Sequence, residues 1–461
     1  MGQNKNRLVE ESICFLYYNI TCISNDFDTA LIPLTACNIG RPARGTYKQK
    51  FNTKAFLIRI YAMASNEIKK IAVVGAGLTG LAALRRLSEN KNFKLTCFER
   101  NYDIGGLWLY TDQTLQDDYG NPVHSAVYSN LKTNIPKQLM EIDGFPMDGY
   151  PSFPSRTEML AYLNKVVDQC GIRKYIKFNM DVKQIKPVNP SSRDTKWLLT
   201  YGDIRKKKDI HTEEFDDVIV CLGNCSTPNY PTIEGEQDFE GFVLHSIRYR
   251  HPECFAGQTV AVLGAHYSGI DISFDLSKCA KKVYLCHRGP KLETRLPENI
   301  VQKTSGFKRY TPFSVVLENG EEIPVDTVIY ATDSKYNFSI LPEGLLKLGK
   351  GNLICSLFKY ILTPKLFYDF FMGISVLEGS ANLPIQEEMN RIISKDSERV
   401  IGGDNQWEWI KELSDISGKS KALPLVMKKI WDYHFDIWGK DFAKCRSLVY
   451  KATGPDSFVL V

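Results

Sequence analysis

The stretch Ile71–Gly80 reads IAVVGAGLTG and sets the architecture of this 461-residue chain. Four apolar residues of buried-strand type run directly into a GxGxxG pattern, and apolar residues at helical spacing follow over Leu78–Glu89. Glycines at these intervals permit a tight turn and let a pyrophosphate approach the helix N-terminus closely. With a second strand over Lys94–Glu99, the pattern predicts a βαβ unit that binds a dinucleotide.

Glu99 is the acidic residue expected at the end of the second strand. It lies 24 positions after Gly75, an interval at which a carboxylate can accept hydrogen bonds from ribose hydroxyls. A solvated charge at a strand end is the alternative for Glu99, and a chance turn is the alternative for the glycines. The combination of turn, helix and acid favours dinucleotide binding.

The same pattern recurs at Thr259–Gly269, which reads TVAVLGAHYSG. A helix over Ser268–Ser277 and a strand over Lys282–Cys286 follow, so the two similar units predict two nucleotide sites in one chain. The second turn departs from the fingerprint because His266 occupies the place of the middle glycine. Its side chain would crowd the pyrophosphate, although an imidazole could instead donate a hydrogen bond to it.

Arg288 stands in the second unit where an acidic residue stands in the first. It lies 24 positions after Gly264, and an arginine there can hold the oxygens of a 2′-phosphate bidentately. The second nucleotide is therefore predicted to be NADPH rather than NADH. The alternative is an ordinary surface arginine near Lys291.

Composition indicates a folded protein and excludes several classes of function. Hydrophobic residues make up 43% of the chain, which is enough for two or three domains with a sizeable core. Residues 1–62 carry a net charge of +4 and the remainder only +1, so charge gives no case for nucleic-acid binding. No apolar run reaches the roughly 18 to 20 residues of a membrane helix. The 12 cysteines are scattered singly, as in reduced cytosolic proteins, and we expect no metal site.

Three further motifs lie between and beside the two units. Gly105–Trp108 reads GGLW, Lys132–Lys137 reads KTNIPK, and Phe239–Tyr249 contains FxGxxxHxxxY with His245 at its centre. With the paired glycine-rich turns, these motifs make the chain from about Ile68 onward resemble the flavin-containing monooxygenases. Its length is similar to that of the short, insect-like branch. His245 is expected to shape the linker into the second unit rather than to touch substrate.

The resemblance implies an α/β fold with two Rossmann-like dinucleotide-binding domains, the NADPH domain being inserted into the FAD domain. The predicted parts are an N-terminal extension outside the fold, a first FAD part, the NADPH domain, and a second FAD part with C-terminal helices, at residues 1–62, 63–225, 226–324 and 325–461. Strand endings at Asp217–Gly223 and Asp326–Thr332 are interpreted as the crossings between domains. The family has a glycine where this chain has Asp333, and we interpret this as a second departure beside His266.

Site residues are carried over from the family by matching motifs. The FAD site is predicted to comprise Gly75, Ala76, Gly77, Leu78, Thr79, Gly80, Glu99, Gly106, Leu107, Trp108, Asn134 and Ile135. The NADPH site is predicted to comprise Thr133, Asn134, Gly264, Ser268, Gly269, Ile270, Asp271 and Arg288. Asn134 is predicted to be the catalytic residue, since a carboxamide offers both a donor and an acceptor without a charge. Its alternative role is that of a turn residue before Pro136.

The activity implied is oxygenation of a nucleophilic nitrogen or sulfur in small lipophilic molecules, as in xenobiotic detoxification. In such enzymes NADPH reduces FAD, and O₂ then forms a C4a-hydroperoxyflavin that gives one oxygen to an amine or sulfide. We expect a cytoplasmic protein, at most peripheral at the endoplasmic reticulum. Because of His266 and Asp333, two alternatives stay open: a FAD-binding regulatory protein without NADPH turnover, or a peroxide-producing NADPH oxidase.

Overall fold

The structure, a computed structural model, describes residues 68–142, 144–190, 195–206, 208–223, 226–335, 337–343, 347–348, 354–355, 407 and 425–461. The predicted extension 1–62 lies outside these residues. The helices are α1 to α5, at Leu78–Leu87, Arg156–Cys170, Tyr267–Leu276, Leu425–Lys440 and Phe442–Cys445. The strands are β1 to β21, at Lys69–Val74, Phe93–Phe98, Ile176–Lys177, Met180–Pro187, Trp197–Asp203, Ile210–Phe215, Asp217–Val220, Thr227–Pro228, Phe242–His245, Thr259–Leu263, Lys282–Cys286, Ile300–Lys303, Phe307–Thr311, Ser314–Leu317, Glu322–Pro324, Thr327–Tyr330, Ser334–Lys335, Lys347–Leu348, Ile354–Cys355, Tyr450–Gly454 and Ser457–Leu460.

The first unit is built on a parallel sheet with the strand order β3-β2-β1-β7. Its central strand β1 is apolar throughout its buried half, because Ile71 to Val74 are covered on both faces. Helix α1 turns Leu81 and Leu84 inward, and both are fully buried in the core beneath the sheet. The predicted βαβ pattern is confirmed.

The second unit is a parallel sheet with the order β12-β11-β10-β16-β9. Strand β11 has the predicted bounds, β10 begins at Thr259, where the predicted pattern begins, and helix α3 begins one residue before the predicted start. Ile270 and Ile272 of α3 are buried against the sheet. The fold class, two Rossmann-like units in one α/β chain, is confirmed.

The two units are joined by a pair of short antiparallel strands. β8 follows the first sheet and β17 follows the second, and Thr227 pairs with Lys335. The two paired strands lie shortly after the segments Asp217–Gly223 and Asp326–Thr332, which are the predicted crossings between domains. The strand Thr327–Tyr330 belongs to the second sheet, so that sheet extends beyond residue 324, where the NADPH domain was predicted to end.

The C-terminal residues pack on both units. Trp407 and Trp431 lie against the core of the first unit and Trp438 against the core of the second. Helices α4 and α5 are followed by the hairpin β20–β21, so the prediction of helices alone over this segment was incomplete. Among the described residues, no helix has the length and apolarity needed to cross a bilayer.

Helix α3 can lie against its turn only because Gly269 has no side chain. A Cβ atom at Gly269 would stand 1.8 Å from the carbonyl oxygen of Gly264, whereas one at Gly439 in α4 would meet nothing within 4 Å. We predict that Gly269→Ala costs about 2 kcal/mol or more of unfolding free energy, as overpacking does. Gly439→Ala should be neutral or slightly stabilising, since alanine favours a helix. Urea unfolding of the two variants measures the difference, and equal midpoints would contradict the prediction.

Candidate cofactor site

The first glycine-rich turn sits at the carboxyl end of β1, the usual ligand-binding edge of a doubly wound sheet. Gly75 adopts a φ of 100°, and a Cβ there would stand 2.4 Å from the carbonyl oxygen of Cys221. The GGLW motif folds back over the turn, because Gly105 N–H donates to the Ala76 carbonyl at 3.0 Å. A Cβ on Gly106 would lie 2.8 Å from the Cα of Gly77. The atoms that a Cβ on Gly77 or Gly106 would meet all belong to the backbone, and such a turn suits the close approach of a pyrophosphate.

Glu99 lies beside the cradle, as the spacing predicts. Its Oε2 accepts the Ala76 N–H at 2.7 Å and its Oε1 accepts the Asn101 N–H at 2.7 Å. The side chain is buried, and this burial raises the pKa of the carboxyl above its ordinary value. Each carboxylate oxygen has a second lone pair left to accept a ribose hydroxyl.

Two buried polar atoms within the motifs themselves have no hydrogen-bond partner among the described residues. They are the indole Nε1 of Trp108 and the hydroxyl oxygen of Thr133. A buried donor or acceptor without a partner costs roughly 1 to 3 kcal/mol. Both residues belong to the predicted cofactor set, and a bound cofactor could supply the missing partners. The residues present fit a bound dinucleotide.

The second glycine-rich turn repeats the geometry of the first. Gly264 has a φ of 114°, and the φ and ψ of His266, −88° and −168°, are close to the −77° and −175° of Gly77. This backbone conformation is open to any residue, so a histidine fits without strain. The His266 ring packs edge-on against Tyr267, with 4.3 Å between centroids. The departure at His266 thus adds a side chain at the turn and leaves the path of the backbone unchanged.

The predicted NADPH residues fall into two groups. Ser268 is exposed in the first turn of α3, whereas Ile270 and Asp271 are buried and face the interior. Arg288 follows β11 and is largely exposed, with its Nη2 and Nε at 2.7 and 3.0 Å from Oε1 of Glu318. A 2′-phosphate at this place would share Arg288 with Glu318 or replace that carboxylate.

The FxGxxxHxxxY motif holds the crossing between the units. His245 ends β9, and its Nε2 donates to the carbonyl of Asp333 at 3.0 Å while its Nδ1 accepts the Ile247 N–H at 3.2 Å. Asp333 adopts a φ of 66°, the left-handed region in which the expected glycine would be unstrained. Tyr249 is fully buried, and its hydroxyl donates to Asp275 at 2.8 Å. These contacts are those of structural residues, so His245 and Tyr249 stabilise the fold at this crossing.

Asn134 is held by the C-terminal segment, although no sequence pattern predicts that this segment lies here. Its carbonyl accepts from Nε2 of His434 at 2.9 Å, and its side-chain oxygen accepts from Arg446. Arg446 also forms an ion pair with Asp271, Nη1 to Oδ1, at 2.9 Å. His434 and Arg446 thus contact the predicted residue Asn134, and motif matching missed both because no local pattern marks them.

The family model described as FMO-like, flavin-binding monooxygenase-like, matches residues 68–296. Flavin-containing monooxygenase FMO GS-OX2 of Arabidopsis thaliana is 32% identical over 357 residues, covering 72% of this chain and 75% of that protein. The chain belongs to the flavin-containing monooxygenase family. It is accordingly a flavoprotein oxidoreductase of the monooxygenase class, and this family uses FAD and NADP.

Two further relatives of this monooxygenase differ in the substrates that their names state. The trimethylamine monooxygenase of Roseovarius nubinhibens is 32% identical over 367 residues, covering 75% of this chain and 81% of its own. The structure of S-allyl-L-cysteine S-oxygenase from Allium sativum has a TM-score of 0.71 at 26% identity, covering 82% of this chain and 94% of its own. One is named for an amine and the other for a sulfur compound.

We predict that Glu99→Gln weakens FAD binding at least tenfold. Glutamine has one carbonyl oxygen, so its NH₂ group would face the N–H of Ala76 or Asn101, and a tenfold loss corresponds to about 1.4 kcal/mol. Titration of the apoprotein with FAD measures the effect. Glu89→Gln is the control, because that side chain is exposed two residues after helix α1 of the same βαβ unit. Equal dissociation constants of FAD for the two variants would refute the assignment of Glu99 to the FAD site.

The pH dependence of stability tests the buried His245. Burial lowers the pKa of His245 to about 4 from an ordinary value of 6.5. Because its folded-state pKa is depressed, its contribution to stability is present above about pH 6.5 and is lost as the pH falls towards 4. We expect His245→Asn to be less stable at neutral pH and to lose less stability over that window. His211→Asn serves as the control at an exposed histidine. An unchanged dependence of stability on pH in His245→Asn would contradict the depressed pKa of His245.

Proposed function

We propose that this protein is an NADPH-dependent monooxygenase that oxygenates nucleophilic nitrogen or sulfur in small molecules, as an enzyme of xenobiotic metabolism. The observation that carries the proposal is the pair of glycine-rich turns with matching backbone geometry, the first beside Glu99 and the second beside Arg288. A carboxylate suits ribose hydroxyls and a cation suits a 2′-phosphate. The relatives named for trimethylamine and for S-allyl-L-cysteine support the substrate class.

The electron and atom balance of this reaction needs one proton from solvent besides NADPH and O₂. NADPH supplies two electrons as a hydride, one oxygen atom of O₂ goes to the substrate, and the other leaves as water with the hydride hydrogen and the proton. FAD supplies the chemistry that passes reducing equivalents to O₂. The chain itself has to bind both nucleotides, hold the amide of Asn134 in place, and keep bulk water from the reacting atoms.

The position of each residue indicates which part of FAD or NADPH it would bind. The FAD pyrophosphate would lie on the cradle of Gly75, Gly77 and Gly106, with Glu99 on the ribose. The NADPH pyrophosphate would lie at the N-terminus of α3, near His266, and its 2′-phosphate on Arg288. An uncharged carboxamide at Asn134 can donate a hydrogen bond in the site without bringing a competing charge.

Arg288 provides the test of nucleotide choice. We expect the purified FAD-bound protein to consume NADPH with a kcat/KM at least tenfold above that for NADH. Arg288→Gln should lower the NADPH value about tenfold or more and leave NADH nearly unchanged, since bonds to charged groups contribute about 1.5 to 3 kcal/mol. Lys291→Gln is the matched surface control. If Arg288→Gln lowers kcat/KM for NADPH and NADH equally, or lowers neither, Arg288 does not bind the 2′-phosphate.

The same preparation separates the proposed function from its alternatives. With trimethylamine or S-allyl-L-cysteine present, the N-oxide or sulfoxide should equal most of the NADPH consumed. Hydrogen peroxide equal to the NADPH consumed, with no oxygenated product, would identify an NADPH oxidase. Failure of NADPH to reduce the bound flavin without O₂ would instead identify a FAD-binding protein that has lost turnover, the alternative that His266 and Asp333 raise.

A further inference from the structure

Arg446 joins the two Rossmann units through one side chain. It follows helix α5, and its guanidinium is largely buried. One nitrogen, Nη2, donates to the side-chain oxygen of Asn134 in the first unit, and the other, Nη1, lies 2.9 Å from Oδ1 of Asp271 in the second. The guanidinium also lies over the Phe442 ring, 4.9 Å from its centroid. A planar fork can hold two partners at fixed angles, which a lysine cannot.

The contact with Arg446 decides which way the Asn134 amide is turned. Arginine has only donors, so the atom that faces it has to be the amide oxygen, Oδ1. The Nδ2 group is then turned away from Arg446 and remains a donor. The main chain at the same residue is held independently, because His434 donates to its carbonyl. Both the position and the orientation of the amide therefore depend on the C-terminal segment.

The other partner of Arg446 belongs to the helix of the second glycine-rich turn. Asp271 lies one turn into α3, and its second carboxylate oxygen accepts from the hydroxyl of Tyr128. The carboxylate is buried, and leaving a buried charge without its partner is strongly unfavourable. Arg446 is therefore held to α3 strongly, and a shift of α3 would carry Arg446 and the Asn134 amide with it.

We propose that Arg446 is a positioning residue that keeps the Asn134 amide turned as a donor towards the flavin site and couples its place to helix α3. This inference rests on the proposed function, because that function places Asn134 beside the flavin. Arg446 itself touches neither substrate nor cofactor in this assignment. Arg446 therefore affects the fraction of NADPH oxidation that yields oxygenated product instead of peroxide.

Arg446→Lys is the variant that separates positioning from folding. Lysine keeps the charge that Asp271 needs, and its single ammonium lacks the planar fork that reaches Asp271 and Asn134 together. Arg446→Gln removes both the positive charge and the planar guanidinium fork. Arg205→Gln is the control, because Arg205 forms a two-nitrogen pair with buried Asp203 away from Asn134. Each variant is compared with the wild-type holoenzyme for melting temperature, oxygenated product per NADPH, free peroxide per NADPH, and the visible circular dichroism of bound FAD.

We expect Arg446→Lys to keep the wild-type melting temperature within a few degrees while its peroxide released per NADPH rises at least fivefold. The visible dichroism of its FAD should change, and Arg205→Gln should match the wild type in both readouts. Wild-type coupling and dichroism in Arg446→Lys and Arg446→Gln alike would overturn the proposal. If the wild type itself fails to oxygenate, the proposed function has failed, and the dichroism of FAD still tests the position of Asn134. An unchanged dichroism in that case would overturn the inference as well.

Discussion

Close contact between a helix and the turn that precedes it is the constraint on which both nucleotide sites depend. A Cβ on Gly80 would stand 1.8 Å from the carbonyl oxygen of Gly75, and one on Gly269 would stand 1.8 Å from that of Gly264. The helices can therefore begin directly at the sheet edge, with their N-termini open to an anion.

The two units meet the same steric constraint and differ in the chemistry around it. The first turn faces the GGLW backbone and a buried carboxylate, Glu99, which binds two main-chain N–H groups. The second carries His266 at the middle position and the exposed pair of Arg288 and Glu318. Under the proposed function, an acidic edge and a basic edge on equivalent strands would let one chain distinguish two dinucleotides.

The interface between the units is stabilised by polar contacts as well as by apolar packing. His245 binds the carbonyl of Asp333 at the return crossing, and the pair formed by Arg446 and Asp271 joins α5 to α3. Buried charges and hydrogen bonds are costly when partners separate, so they favour one relative arrangement of the units. The amide of Asn134 lies at this junction, where small displacements would change its orientation.

The sequence by itself determined both βαβ units, the glycine positions and the placement of Glu99 and Arg288 at strand ends, because these features depend on residues close together in the chain. It also identified the family. Only the tertiary structure decided that β16 extends the second sheet, that His266 keeps the backbone of a glycine, and that Ile270 and Asp271 face inward. It alone joined Asn134 to Arg446, 312 positions away. Such contacts leave no periodic or local signal, since they arise from the packing of the C-terminal segment on both cores.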